Sequence, residues 1–310
     1  MDSYLQGSMP PNRIMMKTKQ LILAFTILSV VTYAHAAKLP DISIKSNRVL
    51  VCSHRAIFGE FPENSLAAID ACIKGGVDII EIDVAKTKDG KLILMHDKTV
   101  NRTTNGSGAI KDMTFEEVKQ LRLFKQGSQT LTQEKVPTLK EVLERCKGKI
   151  YVNLDLKGPN LFDCEENIKS TDTENIIMYR ASPLDYLKEI SVKLPKIMIS
   201  PYFNFKKSKD RWPGKESGLK FLEPYKDAID LWGVHLRDLN HPSASLKNLQ
   251  LLMKNNLRLW KMTMWGEYSD QKALKNPAQI WGKLINLGYN VIMTDEPEAL
   301  ITYLTSVKRH

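Results

Sequence analysis

The sequence predicts an α/β fold built as a single (β/α)8 TIM barrel, and three observations carry that expectation. From residue 48 onward, apolar strand-like runs alternate with amphipathic helical ones, eight strands in all. Strands separated by helical stretches are the pattern of parallel βαβ units. The alternation spans about 265 residues, close to the ~250 that such a barrel occupies. The competing architecture, a doubly wound open sheet, would carry a glycine-rich phosphate loop after its first strand, and the sequence has none there. No long low-complexity linker divides the chain, so residues 41–310 read as one domain.

The elements follow in order. RVLVCSHR (48–55) reads as the first strand, and a helix begins at Pro62-Glu63-Asn64-Ser65 and runs towards Lys74. DIIEIDVA (78–85) is the second strand, extended through an Asp89-Gly90 turn into LILMHD (92–97). A long loop carrying RTTNGSG and a short helix near TFEEVKQL lead to the helix PTLKEVLERC (137–146). IYVNLDLKG, NIIMYRA, KIMISPYF, DLWGVHLR, LRLWKMTM and NVIMTDEP supply strands three to eight. SPLDYLKEISVKL, KFLEPYKDAI, SASLKNLQLLMKNN, PAQIWGKLINLG and EPEALITYL are the helical stretches between or after them.

The start of the chain stands apart from this rhythm. Residues 15–36 have a lysine-bearing beginning, an apolar core from Leu21 to Tyr33 and an Ala34-His35-Ala36 cleavage pattern, the layout of a secretory signal peptide. That core is shorter than the roughly 20 residues a spanning helix needs, so no stable membrane anchor is expected after cleavage. Residues 1–14 read as a leader ahead of a natural-looking start. The mature protein is expected to be exported, periplasmic or secreted. Export permits disulfides among the four cysteines. Cys52, two residues before His54, shares that residue's strand face and reads as a free core thiol, while sequence cannot pair Cys72, Cys146 and Cys164.

The formal charge is +10, and without residues 1–36 it is +8, from 42 Lys and Arg against 34 Asp and Glu. A basic surface suits an anionic ligand. No zinc-finger spacing and no basic helix with heptads occurs, so nucleic acid is not the expected partner. The run NFKKSKDRWPGKES (204–217) belongs on the catalytic face of such a barrel and reads as a solvated basic loop. Oligomeric state is left open.

Strand alternation sorts the polar residues. Cys52 and His54 share a face of strand one, Glu81 and Asp83 a face of strand two, and Asn153, Asp155 and Lys157 a face of strand three. In a barrel this polar set faces the lumen and ends near the C-terminal rim, where barrel enzymes hold their chemistry. His96 arrives from the extension of strand two. Carboxylates buried side by side repel and lose hydration. Three of them beside a lysine and two histidines point to a cation, and an all-oxygen set suits Mg²⁺ or Ca²⁺ over zinc. The histidines are then free for proton transfer.

The motifs themselves are familiar. HRA (54–56), PENS (62–65), EIDVAKTKDGKLILMHD (81–97), RTTNGSG, VPTLKEVL (136–143), NLDLKG and GYNVIMTDEPEAL resemble the glycerophosphodiester phosphodiesterase family. The similarity runs from about residue 48 to 304, strongest in the first half and weak between 160 and 255. The resemblance implies a phosphodiesterase barrel shared with phosphatidylinositol-specific phospholipase C. It implies one Ca²⁺ or Mg²⁺ on Glu81, Asp83 and Asp155, His54 and His96 as the acid–base pair, and Arg55 and Lys157 on the phosphate of a small anionic phosphodiester. Trp260 matches a tryptophan that lines the family's substrate pocket, and a barrel-core role fits it equally. Two positions depart from the family pattern: Ala56 stands where glycine is usual, and Asp155 where glutamate is more common. The expected reaction yields sn-glycerol 3-phosphate and an alcohol. A phospholipase-D-like enzyme on lysolipids or sphingolipids, and an inactive binding protein on the same barrel, are the alternatives.

Overall fold

A computed structural model describes residues 38–181, 183–203, 222–236 and 245–310. The leader, the signal segment and the run 204–217 lie outside the described residues.

The first half contains β1 (Leu50–Ser53), α1 (Leu66–Gly75), β2 (Ile79–Lys86), β3 (Leu92–Leu94) and α2 (Phe115–Val118). It continues with β4 (Arg122–Phe124), β5 (Leu131–Lys135), α3 (Leu139–Cys146), β6 (Tyr151–Leu156) and α4 (Glu165–Thr171). Then follow β7 (Ile177–Tyr179), α5 (Leu184–Lys193), β8 (Met198–Ile199), β9 (Tyr202–Phe203), α6 (Glu223–Lys226) and β10 (Gly233–Leu236). The chain ends with α7 (Leu246–Lys254), β11 (Arg258–Met262), α8 (Asp270–Lys275), α9 (Lys283–Asn286), β12 (Val291–Thr294) and α10 (Pro297–Ser306).

Local chemistry sets the boundaries. Ser65 caps α1 by accepting from the Ala68 N–H, and Gly76 ends it at φ 82°, a left-handed value open to glycine. Thr138 and Glu141 form a reciprocal capping box at the start of α3. Seven of the eight residues of β2 are buried, as expected of a parallel strand covered on both faces.

Parallel pairing runs β8-β7-β6-β2-β1-β12-β11-β10-β9. The run 198–203 closes the ring. Its Ser200 N–H bonds the Tyr179 carbonyl on one side, and its Ile199 and Pro201 carbonyls accept from Trp232 and His235 on the other. The eightfold barrel is therefore present. Pro201 has no N–H to give, so the expected single fifth strand is split into β8 and β9. At the N-terminal end of the barrel, Arg258 is 1% exposed and donates to the carbonyls of Ile42, Ser43 and Arg48. These bonds tie the segment before β1 to the end of the barrel opposite the catalytic rim.

Three expectations need correction. His54 is not in the first strand: β1 stops at Ser53 and His54–Ala56 form a 3₁₀ turn. The stretch before α3 is no open loop, because β4 and β5 pair as an antiparallel hairpin. Its apolar residues join a small second core of Ala85, Ile93, Met95, Val100, Ile110, Val118, Leu123 and Val136. The stretch PAQIWGKLINLG opens as a five-residue π-helical turn, Ala278–Gly282, before α9. All four cysteines are buried and unpaired, as read for Cys52.

Candidate active site

The barrel order puts β1, β2 and β6 side by side. Asp83 stands opposite Asp155 in the β2–β6 register, and Glu81 opposite Asn153. Side chains two apart share the lumen face, so Glu81, Asp83 and Asp155 converge. Their oxygens lie within 4.8 Å of one another. The shorter Asp155 side chain still reaches the cluster. Glu81 and Asp83 are 1% and 0% exposed. Burial, with the Asp83 charge beside it, raises the Glu81 carboxyl to about 7. Such a set of oxygens is what a hard divalent cation requires.

The turn after β1 explains how the rim is built. Arg55 and Ala56 take left-handed φ values of 53° and 51°. Ile57 N–H returns to the His54 carbonyl and Asn64 N–H to the Arg55 carbonyl, which fixes the turn. It aims the Arg55 N–H into the lumen, where it donates to Glu81 Oε2 at 2.8 Å. The guanidinium reaches Glu63 at 3.2 Å and Asp83 at 3.8 Å. Ala56 keeps the positive φ that the usual glycine would permit, so the backbone path survives that substitution.

Glu63 and Asn64 support the site more directly than sequence suggests. Asn64 Nδ2 donates to Asp83 Oδ2 at 2.8 Å, and its Oδ1 accepts from the Asp83 N–H at 3.1 Å. Lys157 Nζ sits 3.1 Å from Asp83 and 3.0 Å from Asp155. Burial opposes its charge, and the two carboxylates more than offset that, leaving its pKa raised.

Both histidines are oriented by carboxylates. His54 Nδ1 lies 2.7 Å from Asp295 Oδ1, just beyond β12. Burial alone would lower the His54 pKa, but the Asp295 hydrogen bond and the Glu81 charge outweigh it and hold the ring above its ordinary value. His96 follows β3, where the Met95 N–H bonds the Asp83 carbonyl at 3.0 Å. Its Nδ1 lies 2.7 Å from Asp97 Oδ1. Arg102 then links Asp97 at 2.7 Å to Glu63 at 2.8 Å. Burial works against the Glu63 charge, while Arg102 and Arg55 keep its pKa low. With Nδ1 of each ring donating to a carboxylate, Nε2 is the atom left for proton transfer.

Trp260 is 1% exposed and stacks on His235 with ring centroids 4.4 Å apart, inside the lumen. Sequence reasoning missed Asp97, Asp295, Arg102, Arg180 and Trp265. Asp97 and Asp295 sat in quoted motifs next to a histidine and a threonine, so their signal was visible. Trp265, 56% exposed, stands edge-on to His54 at 6.4 Å and carried none.

The model of the glycerophosphoryl diester phosphodiesterase family matches residues 54–299. A glycerophosphodiester phosphodiesterase of Caldanaerobacter subterraneus is 30% identical over 267 residues, covering 82% of this chain and 97% of that protein. Among solved structures, a glycerophosphoryl diester phosphodiesterase of Parabacteroides distasonis matches with TM-score 0.72 at 21% identity, over 87% of this chain and 94% of that one. An Oleispira antarctica phosphodiesterase, solved with the product sn-glycerol-3-phosphate, matches at TM-score 0.60 and 22% identity over 85% of this chain and 99% of that one. With the family's motifs on the rim of the expected barrel, the chain belongs to the glycerophosphoryl diester phosphodiesterase family, and its activity is hydrolysis of a glycerophosphodiester.

Proposed function

We propose that this chain is an exported hydrolase that splits glycerophosphodiesters such as glycerophosphocholine or glycerophosphoethanolamine into sn-glycerol 3-phosphate and the alcohol. The observation that carries this reading is the pair of carboxylate-bound imidazoles, His54 on Asp295 and His96 on Asp97, on the rim that holds the carboxylate cluster. Export rests on residues 15–36, which lie outside the described residues.

Glu81, Asp83 and Asp155 would hold one Mg²⁺ or Ca²⁺, which supplies fixed positive charge to the phosphate oxygens. Arg55 and Lys157 orient those oxygens and neutralise the charge that grows as the P–O bond breaks. One imidazole takes the proton of the attacking hydroxyl: water's gives sn-glycerol 3-phosphate directly, while the glycerol's own gives a cyclic phosphate that water opens in a second step. The other gives its proton to the leaving alkoxide, so charge balances across the step. His54, whose raised pKa keeps it protonated to higher pH, is assigned the general-acid role, and His96 that of the base. The exposed indole of Trp265 beside His54 suits a cationic headgroup such as choline through its π face.

A second reading has its own observation. Phe61 and Trp265, in the loops after β1 and β11, are 45% and 56% exposed and offer an apolar rim to a lysolipid chain. The test is phosphorus NMR of glycerophosphocholine and of lysophosphatidylcholine incubated with the protein. The proposed function predicts an sn-glycerol 3-phosphate signal from the first and little turnover of the second. Turnover of the lysolipid alone would move the assignment to the second reading.

A further inference from the structure

Arg180 has no role in the chemistry above, yet it stands at the carboxylate cluster. It follows β7, the strand beside β6, and its side chain is 15% exposed. Nη2 approaches Asp155 Oδ2 at only 3.4 Å, well beyond the ~2.7–2.9 Å of a close guanidinium–carboxylate bond. The group is held instead by its surroundings. Its guanidinium lies over the Tyr202 ring at 5.4 Å and its Nη1 lies against Met262 Sδ at 3.5 Å.

The ion pairs sharpen the point. Lys157 lies 3.1 Å from Asp83 and 3.0 Å from Asp155, and Arg180 also reaches Asp155, whereas the Arg55 guanidinium is shared between Glu63 at 3.2 Å and Asp83 at 3.8 Å. Lys157 and Arg180 are thus engaged by the cluster's own carboxylates. A divalent cation on the three carboxylates adds two positive charges to the same small space. A phosphomonoester dianion offsets them. Lys157 and Arg180 both lean on Asp155, so the cation that takes Asp155 releases both for the anion.

We propose that Arg180 is a third phosphate-binding cation, and that it makes metal and phosphate binding mutually reinforcing. This rests on the function proposed above, because it assumes the carboxylate cluster holds the metal and the anion is a phosphate. Arg180 adds a planar donor fork on the β7 side, across the cluster from Arg55, where a phosphate oxygen turned away from β1 can be reached. By linkage, the factor by which metal tightens the phosphate equals the factor by which phosphate tightens the metal.

Isothermal titration of the full chain with sn-glycerol 3-phosphate, with Mg²⁺ or Ca²⁺ and in EDTA, tests it. The parent is expected to bind at least about tenfold more tightly with the cation than without. Arg180→Met is expected to lose about tenfold or more of the cation-supported affinity and little of the affinity in EDTA, with Arg180→Lys in between. Thermal melts of both variants establish that they fold, and Lys keeps the test open where Met does not. Parent-like binding by a folded Arg180 variant in the presence of the cation overturns the proposal and leaves the proposed function standing. A parent that binds no sn-glycerol 3-phosphate under any condition overturns both.

Discussion

His54 and His96 differ in a way that bears on chemistry. His54 is tied to Asp295 and feels the Glu81 charge, while His96 is tied to Asp97, which Arg102 holds in turn. Among the described residues the rings hydrogen-bond Asp295 and Asp97 rather than Glu81, Asp83 or Asp155, so the loss of either removes a proton carrier and leaves the three carboxylates in place. His54→Ala and His96→Ala are each expected to lower kcat by roughly 10²-fold or more. Calorimetric binding of Mg²⁺ or Ca²⁺ is expected to stay within about threefold of the parent. Activity surviving both changes would remove the two-histidine mechanism. At this scale the sequence was informative wherever alternation put a charge on a lumen face: Glu81, Asp83, Asp155 and Lys157 do converge. It was silent on Arg180, a single basic residue after a three-residue strand, which reads as an ordinary strand end until its neighbours are known.

Among the elements, the turn after β1 carries most of the construction of the rim. Two left-handed residues in succession, Arg55 and Ala56, strain the backbone by ~1–2 kcal/mol each. Ala56 is fully buried, so replacing it with glycine removes that strain but also loses a buried methyl worth ~0.8 kcal/mol and adds ~0.5–1 kcal/mol of backbone entropy. The gains and losses nearly cancel. Ala56→Gly is therefore expected within about 1 kcal/mol of the parent in urea unfolding, whereas Ala56→Val, both strained and overpacked, is expected to lose about 2 kcal/mol or more. Equal stability of the valine variant would show that the turn does not hold this path. The same element shows why its extent was misread. RVLVCSHR alternates smoothly, and nothing in that alternation announces that the chain leaves the sheet at Ser53. The β4–β5 hairpin escaped notice because LTQEK is a polar, half-exposed strand whose partner is three residues long. Its stabilising contacts are with Val100, Ile110 and Val118, distant in sequence.

For the whole molecule, the barrel was legible because its signal is repeated eight times, so single misread elements did not change the architecture. The carboxylate cluster couples that barrel to its solution conditions. Glu81 is raised from 4.5 to about 7, so below its unfolded pKa it is neutral in both states and costs nothing. As pH rises through the folded value, the fold must ionise a buried group, a burden on the order of 3 kcal/mol. A divalent cation relieves that burden by taking the ionised carboxylate. The melting temperature gained on adding Mg²⁺ or Ca²⁺ over EDTA is thus expected to grow by several degrees between pH 5 and pH 8. A gain that is flat or shrinks with pH would take the cation off Glu81. Whether the buried carboxylates hold a metal for phosphodiester cleavage is decided by sn-glycerol 3-phosphate release from glycerophosphocholine in EDTA-treated protein as Mg²⁺ or Ca²⁺ is returned. No release is expected in EDTA, with recovery that saturates with one of the two ions and no recovery in Glu81→Gln. Full release in EDTA, or a Glu81→Gln protein restored like the parent, would take the metal off these carboxylates and out of the reaction.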